Sequence, residues 1–128
     1  MKTIKTAEAE GPVLDWLVAQ ANGMFLYSSK YWELVDDCVR SVGAPEVEFH
    51  PTTNWAQGGP IVEREGISLR HWGEDFDCKW TAYYETGHYS QQGVTGRSGY
   101  GPTTLIAAMR CFVASELGET VEVPEELS

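Results

Sequence analysis

The chain has 128 residues, with nineteen Asp and Glu against nine Lys and Arg, and a formal net charge of -10 at pH 7. This length favours a single domain, residues 1–128, that can bury a core without disulfides or metal. The acidity argues against general affinity for nucleic-acid backbone, which clustered Lys and Arg would hold, so we expect no direct nucleic-acid binding.

The first third of the chain predicts one strand and two helices. Residues 2–8 are rich in Thr and Ile and alternate weakly, which predicts a short strand. Apolar residues at helical spacing then predict a helix over residues 11–21, and Asn22-Gly23 supplies its stop signal. Apolar residues from Tyr31 to Val39 predict a second amphipathic helix that closes near Gly43.

The middle of the chain predicts an edge strand followed by a loop. Val47 and Phe49 alternate with charged residues, and Pro51 ends the strand. Residues 52–60 are small and polar around a single tryptophan and contain Gly58-Gly59, which predicts a loop or tight turn. Residues 61–69 fit either a short helix or a strand.

The last third predicts a sheet and the best-formed helix. Residues 79–84 are rich in Trp, Tyr and Thr, which predicts a central strand with residues 88–92 as its hairpin partner. Residues 102–117 carry one apolar stripe that predicts a helix, and we expect the acidic tail at about 119–128 to be loose. The pattern as a whole predicts an α+β fold, with a small antiparallel sheet packed against two or three helices.

A glycine-proline loop opens directly onto this last helix and is a candidate anion site. Pro102 has its φ angle preset for a first helical turn, and Thr103 or Thr104 can cap the remaining backbone donors. Free N–H groups and the helix dipole attract phosphate or carboxylate. A well-capped structural helix accounts for the same residues.

Motifs for catalysis and metal binding are missing from the sequence. The three cysteines lack the paired spacing of zinc and redox motifs, so we expect reduced thiols and neither a metal nor a cofactor. No nucleophile elbow or Walker spacing is found. No apolar run approaches the length of a membrane span, which predicts a cytoplasmic protein without a membrane partner.

The remaining residue types are those that bind a ligand. Trp55 and Tyr100 can stack a base, arginines can pair with phosphate, and Gln57 can read a base edge. Gly58 and Gly59 would let backbone N–H groups approach the ligand. The full candidate set is Trp55, Gln57, Gly58, Gly59, Arg64, Arg97, Tyr100, Gly101, Thr103 and Thr104.

Two segments carry a family resemblance. Residues 54–67 and residues 101–124, together with residues 5–23, resemble the NinX-like family of small phage and prophage proteins. The resemblance implies a phage origin and expression in the host bacterial cytoplasm. It implies no particular activity.

Three functions are compatible with the sequence. The first is a non-enzymatic homo-oligomer that binds a small anionic, nucleotide-like ligand and withholds it from host antiphage defence. The second is a protein-interaction module whose acidic surface imitates nucleic-acid charge and blocks a basic host protein. The third is a nucleotide-degrading enzyme that uses Glu63, Glu65 or His71 as acid or base.

Overall fold

The computed structural model describes residues 2–21, 32–35, 38–41, 48–72, 79–84 and 98–125. Its helices are α1 (Gly11–Ala21), α2 (Trp55–Glu65) and α3 (Thr104–Leu117), and a short 3-10 turn spans Thr6–Glu8. Its strands are β1 (Lys2–Lys5), β2 (Trp32–Val35), β3 (Cys38–Ser41), β4 (Glu48–Phe49), β5 (Ile67–His71), β6 (Trp80–Tyr84), β7 (Gly99–Gly101) and β8 (Thr120–Val123).

These strands form three small antiparallel sheets, so the α+β prediction is confirmed. The sheets have the strand orders β1-β8, β2-β3-β4 and β5-β6-β7. As predicted, β6 is a central strand and β4 is an edge strand. The observed partners of β6 are β5 and β7, and the predicted partner at residues 88–92 lies outside the described residues.

Helix α3 is the centre of the fold. The sequence predicts one buried stripe, yet every residue from Ala107 to Ser115 is buried. The reason is that α1, α2, β6 and β7 all contact this helix, and a helix packed on every side is buried all round. The Cys111 thiol lies in this core, where burial raises its pKa to about 12.

The Gly-Tyr-Gly sequence of β7 lets this strand lie directly on α3. A Cβ atom at Gly99 would overlap the backbone of Ala107 and Cys111, and one at Gly101 would come within 2.8 Å of the Ala107 nitrogen. Alternate strand residues point to opposite faces. Tyr100 therefore lies on the face of the sheet away from α3.

Two predictions of secondary structure are wrong in whole or in part, one over an apolar run and one over a small, polar, glycine-containing segment. The predicted second helix from Tyr31 to Gly43 contains β2 and β3, which pair from Trp32–Ser41 to Val35–Cys38. Aromatic and branched residues favour strands, and a short apolar run does not distinguish helix from strand. The pairing of the two strands in the folded protein decides between helix and strand.

Only residues 52–54 of the predicted loop over residues 52–60 lie outside a helix, because residues 55–60 are the start of α2. Asn54 caps this helix, because its Oδ1 accepts a hydrogen bond from the Ala56 nitrogen at 2.9 Å. Gly66 ends the helix with a φ angle of 68°, a left-handed conformation that glycine adopts readily. The cap and the stop signal outweigh the low helix propensity of the two glycines and Pro60.

The predicted loose tail is ordered at its start. Residues Thr120–Val123 are β8, which pairs with β1, and Val121 and Val123 are buried. Thr6 strengthens the join, because its nitrogen donates to the Glu119 carbonyl at 2.9 Å and its Oγ1 to the Gly118 carbonyl at 2.7 Å. In the described part of the chain, no helix is both long and apolar enough to cross a membrane.

Candidate functional site

The structure divides the predicted site residues among several places. Trp55, Thr103 and Thr104 come together in a groove of about 290 Å³ between the N-termini of α2 and α3. Trp55 is 52% exposed. We call this the Trp55 groove; it brings Trp55 together with two threonines that lie about fifty positions further along the sequence.

The helix termini in this groove are capped by their own side chains. Thr103 is the N-cap of α3, because its Oγ1 accepts a hydrogen bond from the Ile106 nitrogen at 3.2 Å. Pro102 lies one residue before the cap and does not begin the helix, which corrects the predicted first turn. Gly101 packs against α3, and its lack of a side chain allows β7 to approach the helix closely.

The remaining α2 candidates are engaged within the protein. Gln57 Oε1 accepts a hydrogen bond from the backbone nitrogen of His50 at 2.6 Å. The Gly58 nitrogen donates to the Asn54 carbonyl at 2.8 Å, and Gly58 is buried against Pro51. Gly59 lies in the interior of the helix. The two glycines are predicted to let backbone N–H groups approach a ligand. They belong instead to a helix, whose backbone groups bond to one another.

Arg64 lies at the other end of α2 from Trp55. The two residues are nine positions apart along the helix, a rise of about 13 Å. The Arg64 Nε donates to Glu65 Oε2 at 3.0 Å, and the guanidinium carbon lies 5.6 Å from the centre of the Phe112 ring. The structure therefore does not bring Arg64 to the Trp55 groove, and Arg97 lies outside the described residues.

A larger cleft, of about 520 Å³, lies beside β7 and contains another predicted residue, Tyr100. Its charged lining residues are Lys5, Arg110 and Glu119, and Ser98 and Thr120 contribute hydroxyl groups. We call it the Tyr100 cleft. Glu63, Glu65 and His71, the candidate acids and bases, line neither this cleft nor the Trp55 groove.

Arg110 is the main residue that the sequence analysis missed. Its side chain is only 8% exposed, and its guanidinium donates from Nε to the Ala9 carbonyl at 2.8 Å and from Nη1 to the Tyr100 carbonyl at 2.8 Å. These two carbonyls help to fix the position of the guanidinium, a group that stays charged at any physiological pH. The signal in the sequence is one arginine within an otherwise apolar helical segment.

The charges of the Tyr100 cleft suit a ligand with one anionic end. Lys5 and Arg110 supply two positive charges, and Glu119 supplies one negative charge that favours hydrogen-bond donors. Tyr100 is 51% exposed and offers an aromatic surface at the border. The cleft volume falls within the usual range for small-molecule sites, about 300 to 1,000 Å³.

A buried polar network holds the chain that leads into α2. Asp15, on α1, accepts at Oδ1 from the Thr52 nitrogen at 3.1 Å and from the Thr52 hydroxyl at 2.7 Å. Its Oδ2 lies 3.2 Å from His50 Nδ1. Burial raises the pKa of Asp15, although these hydrogen bonds oppose the shift. The network fixes one wall of the Trp55 groove, since Thr52 lines it.

Comparison with known proteins places the chain in a phage family. The family model described as Bacteriophage P22, NinX matches residues 5–116. This match includes α1, α2, β7 and all of α3 except Leu117, and therefore most residues of both cavities. The chain belongs to the phage P22 NinX family, as the resemblance indicated. A comparison with curated proteins gives no match.

Proposed function

We propose that this phage protein binds a small anionic ligand of the nucleotide type in the Tyr100 cleft and sequesters it from a host defence effector. The observation that carries the proposal is the fixed, buried guanidinium of Arg110 at the cleft wall, beside exposed Tyr100. Hydrogen bonds to the Ala9 and Tyr100 carbonyls pre-organise this positive charge, which reduces the entropy lost when an anion binds.

The ligand groups correspond to the cleft groups. A phosphate pairs with Arg110 and Lys5, and a base stacks on Tyr100. Glu119 accepts hydrogen bonds from ribose hydroxyls or from the N–H groups of the base. This arrangement favours a nucleotide over inorganic phosphate, because phosphate alone offers no group for Tyr100 or Glu119.

Sequestration requires tight binding without turnover. A protein that holds a signalling nucleotide lowers its free concentration, so a host effector that requires this nucleotide stays inactive. The match to a phage family supports this setting. The nucleotide class and the host effector are part of the proposal.

A thermal-shift screen of the purified protein tests the proposal. The panel contains cyclic dinucleotides, cyclic mononucleotides, ADP-ribose derivatives and common nucleotides. A ligand at about a hundred times its Kd adds roughly 2.7 kcal/mol of stability, which raises Tm by several degrees in a chain of this size. We expect a shift with one class and recovery of that ligand intact after denaturation.

Matched variants assign the shift to the cleft. Lys5→Gln and Tyr100→Ala change exposed lining residues and should abolish most of the shift. Lys2→Gln makes the same charge change on the same strand, on its opposite face, and should leave the shift intact. An unchanged shift in both cleft variants contradicts the assigned site. No shift with any ligand would favour the acidic protein-interaction module instead.

A further inference from the structure

The face of the β5-β6-β7 sheet that lies away from α3 carries a row of exposed aromatic and basic groups. The register places Arg70 opposite Thr81, and Thr81 opposite Tyr100. Their neighbour Ala82, which pairs with Gly99, faces the α3 backbone. Because directly paired residues share a face and successive residues alternate, these three residues lie on the other side. We call this surface the outer face.

Trp72 and Arg70 form a stacked pair on the outer face. The Arg70 guanidinium carbon lies 4.3 Å from the centre of the Trp72 ring. The Trp72 Nε1 donates a hydrogen bond to the Thr81 hydroxyl, which draws the indole over the central strand. Trp72 nevertheless stays 44% exposed. Nucleobases stack readily both on aromatic rings and on guanidinium planes.

The outer face and the Tyr100 cleft meet at Tyr100. Neighbouring strands are about 4.8 Å apart, so the Trp72 indole over Thr81 is about one strand from Tyr100. The other side of β7 lines the cleft that contains Lys5 and Arg110. Tyr100 therefore borders both surfaces, which together offer two stacking positions, one on Tyr100 and one on the Arg70–Trp72 pair, and three cations.

We infer that the ligand of this site is a dinucleotide, with one base on Tyr100, a phosphate at Lys5 and Arg110, and the second base on the Arg70–Trp72 pair. The inference rests on the proposed function and names its ligand class. Arg70 adds a positive charge beside the second base. A mononucleotide fills only the cleft half of this surface.

The charge of the whole molecule limits the length of the ligand. The chain carries a net charge of -10, which repels a long polyanion increasingly as phosphates are added. The local cations of the cleft and the outer face can offset only a few phosphates. The same surface on a basic protein would suit single-stranded nucleic acid, but this chain favours a short ligand.

Isothermal titration calorimetry of the full chain tests the inference with three probes: AMP, the linear dinucleotide pApA and a long oligodeoxyadenylate. A second stacked base should make pApA bind at least about fivefold more tightly than AMP. The oligodeoxyadenylate should bind more weakly than pApA. Tighter binding of the oligodeoxyadenylate would overturn the inference in favour of a general single-strand surface.

Variants at Trp72 separate this inference from the proposed function. Trp72→Ala should remove the advantage of pApA and leave the affinity for AMP unchanged, whereas Trp72→Phe keeps a stacking ring and most of the advantage. Arg70→Gln, which keeps the backbone and much of the side chain, should reduce the advantage as well. If AMP binds and pApA binds no more tightly, the inference fails alone. If neither probe binds and no member of the thermal-shift panel raises Tm, the proposed nucleotide function fails with it.

Discussion

Asp15 shows how one buried carboxylate holds a connection in place. It is 4% exposed, and its hydrogen bonds reach from α1 to Thr52, while its second oxygen lies beside His50. The Thr52 backbone is buried with it. A buried donor that loses its acceptor keeps the full penalty of desolvation. The network therefore contributes more to stability than the same contacts on the surface would.

Substitution of Asp15 tests this role. Asp15→Ala should lower the free energy of unfolding by about 2 kcal/mol, because the buried Thr52 nitrogen loses its partner. Asp15→Asn should be less harmful, since the amide oxygen can still accept from Thr52. Urea unfolding monitored by Trp fluorescence measures both. Equal losses in the two variants would contradict the hydrogen-bond explanation.

The effect of pH on the contribution of Asp15 to stability follows from the direction of its pKa shift. Burial raises the pKa of Asp15, so the native state binds a proton more readily than the unfolded state. The stability of the parent protein relative to Asp15→Asn should therefore fall as pH rises from about 3 to 5. Urea titrations at each pH measure this difference. A difference that grows with pH would show that hydrogen bonding outweighs desolvation.

At the scale of elements, α2 contains two adjacent glycines with different surroundings. Gly58 faces Pro51 and the Leu105 side chain, whose Cδ2 would lie 2.7 Å from an added Cβ atom. At Gly59 the nearest atom to an added Cβ is in the Trp55 ring, at an ordinary 3.4 Å. Of these two positions, close packing therefore requires glycine only at Gly58.

Alanine at these two positions should have opposite effects. Gly58→Ala should destabilise the protein by about 2 kcal/mol, because the backbone carbonyl of Pro51 cannot move away easily. Gly59→Ala should stabilise it by about 0.5 to 1 kcal/mol through higher helix propensity. Thermal unfolding of both variants is the measurement. Stabilisation by Gly58→Ala would mean that α2 packs less closely than described.

At the scale of the whole molecule, the two ends of the described chain meet in one sheet. Strand β1 pairs with β8 along four residues, from Lys2–Val123 to Lys5–Thr120. This pairing places Lys5 at the wall of the Tyr100 cleft, beside Glu119 and Arg110. The cleft thus depends on contacts between residues more than a hundred positions apart.

A core substitution in β8 tests how much this closure contributes. Val123 is 0% exposed, so Val123→Ala, which removes two carbons from the core, should lower stability by about 2 kcal/mol. Glu122→Ala, on the exposed side of the same strand, should change stability by less than about 0.5 kcal/mol. Chemical denaturation of both variants checks the prediction. Equal effects would mean that β8 contributes little to stability, as expected of the loose tail predicted from the sequence.

The sequence by itself determined the elements whose signals are local. The periodicity of α1 and α3, the residue types of β6 and the Gly118 stop could be interpreted without a structure, because each depends on neighbours a few residues away. The family resemblance was carried by residues that are close together in the sequence. These signals also identified Tyr100 as a ligand-binding candidate.

Only the tertiary structure decided which candidates share a site. Trp55 and Tyr100 are both exposed aromatics, yet they border different cavities, and Arg64 lies at the far end of α2. Arg110 and Lys5 join Tyr100 through strand pairing and through the packing of β7 on α3. Such contacts join distant parts of the chain, and local patterns carry no information about them. For the same reason a short run such as residues 32–41 reads as a helix until its partner strand is known.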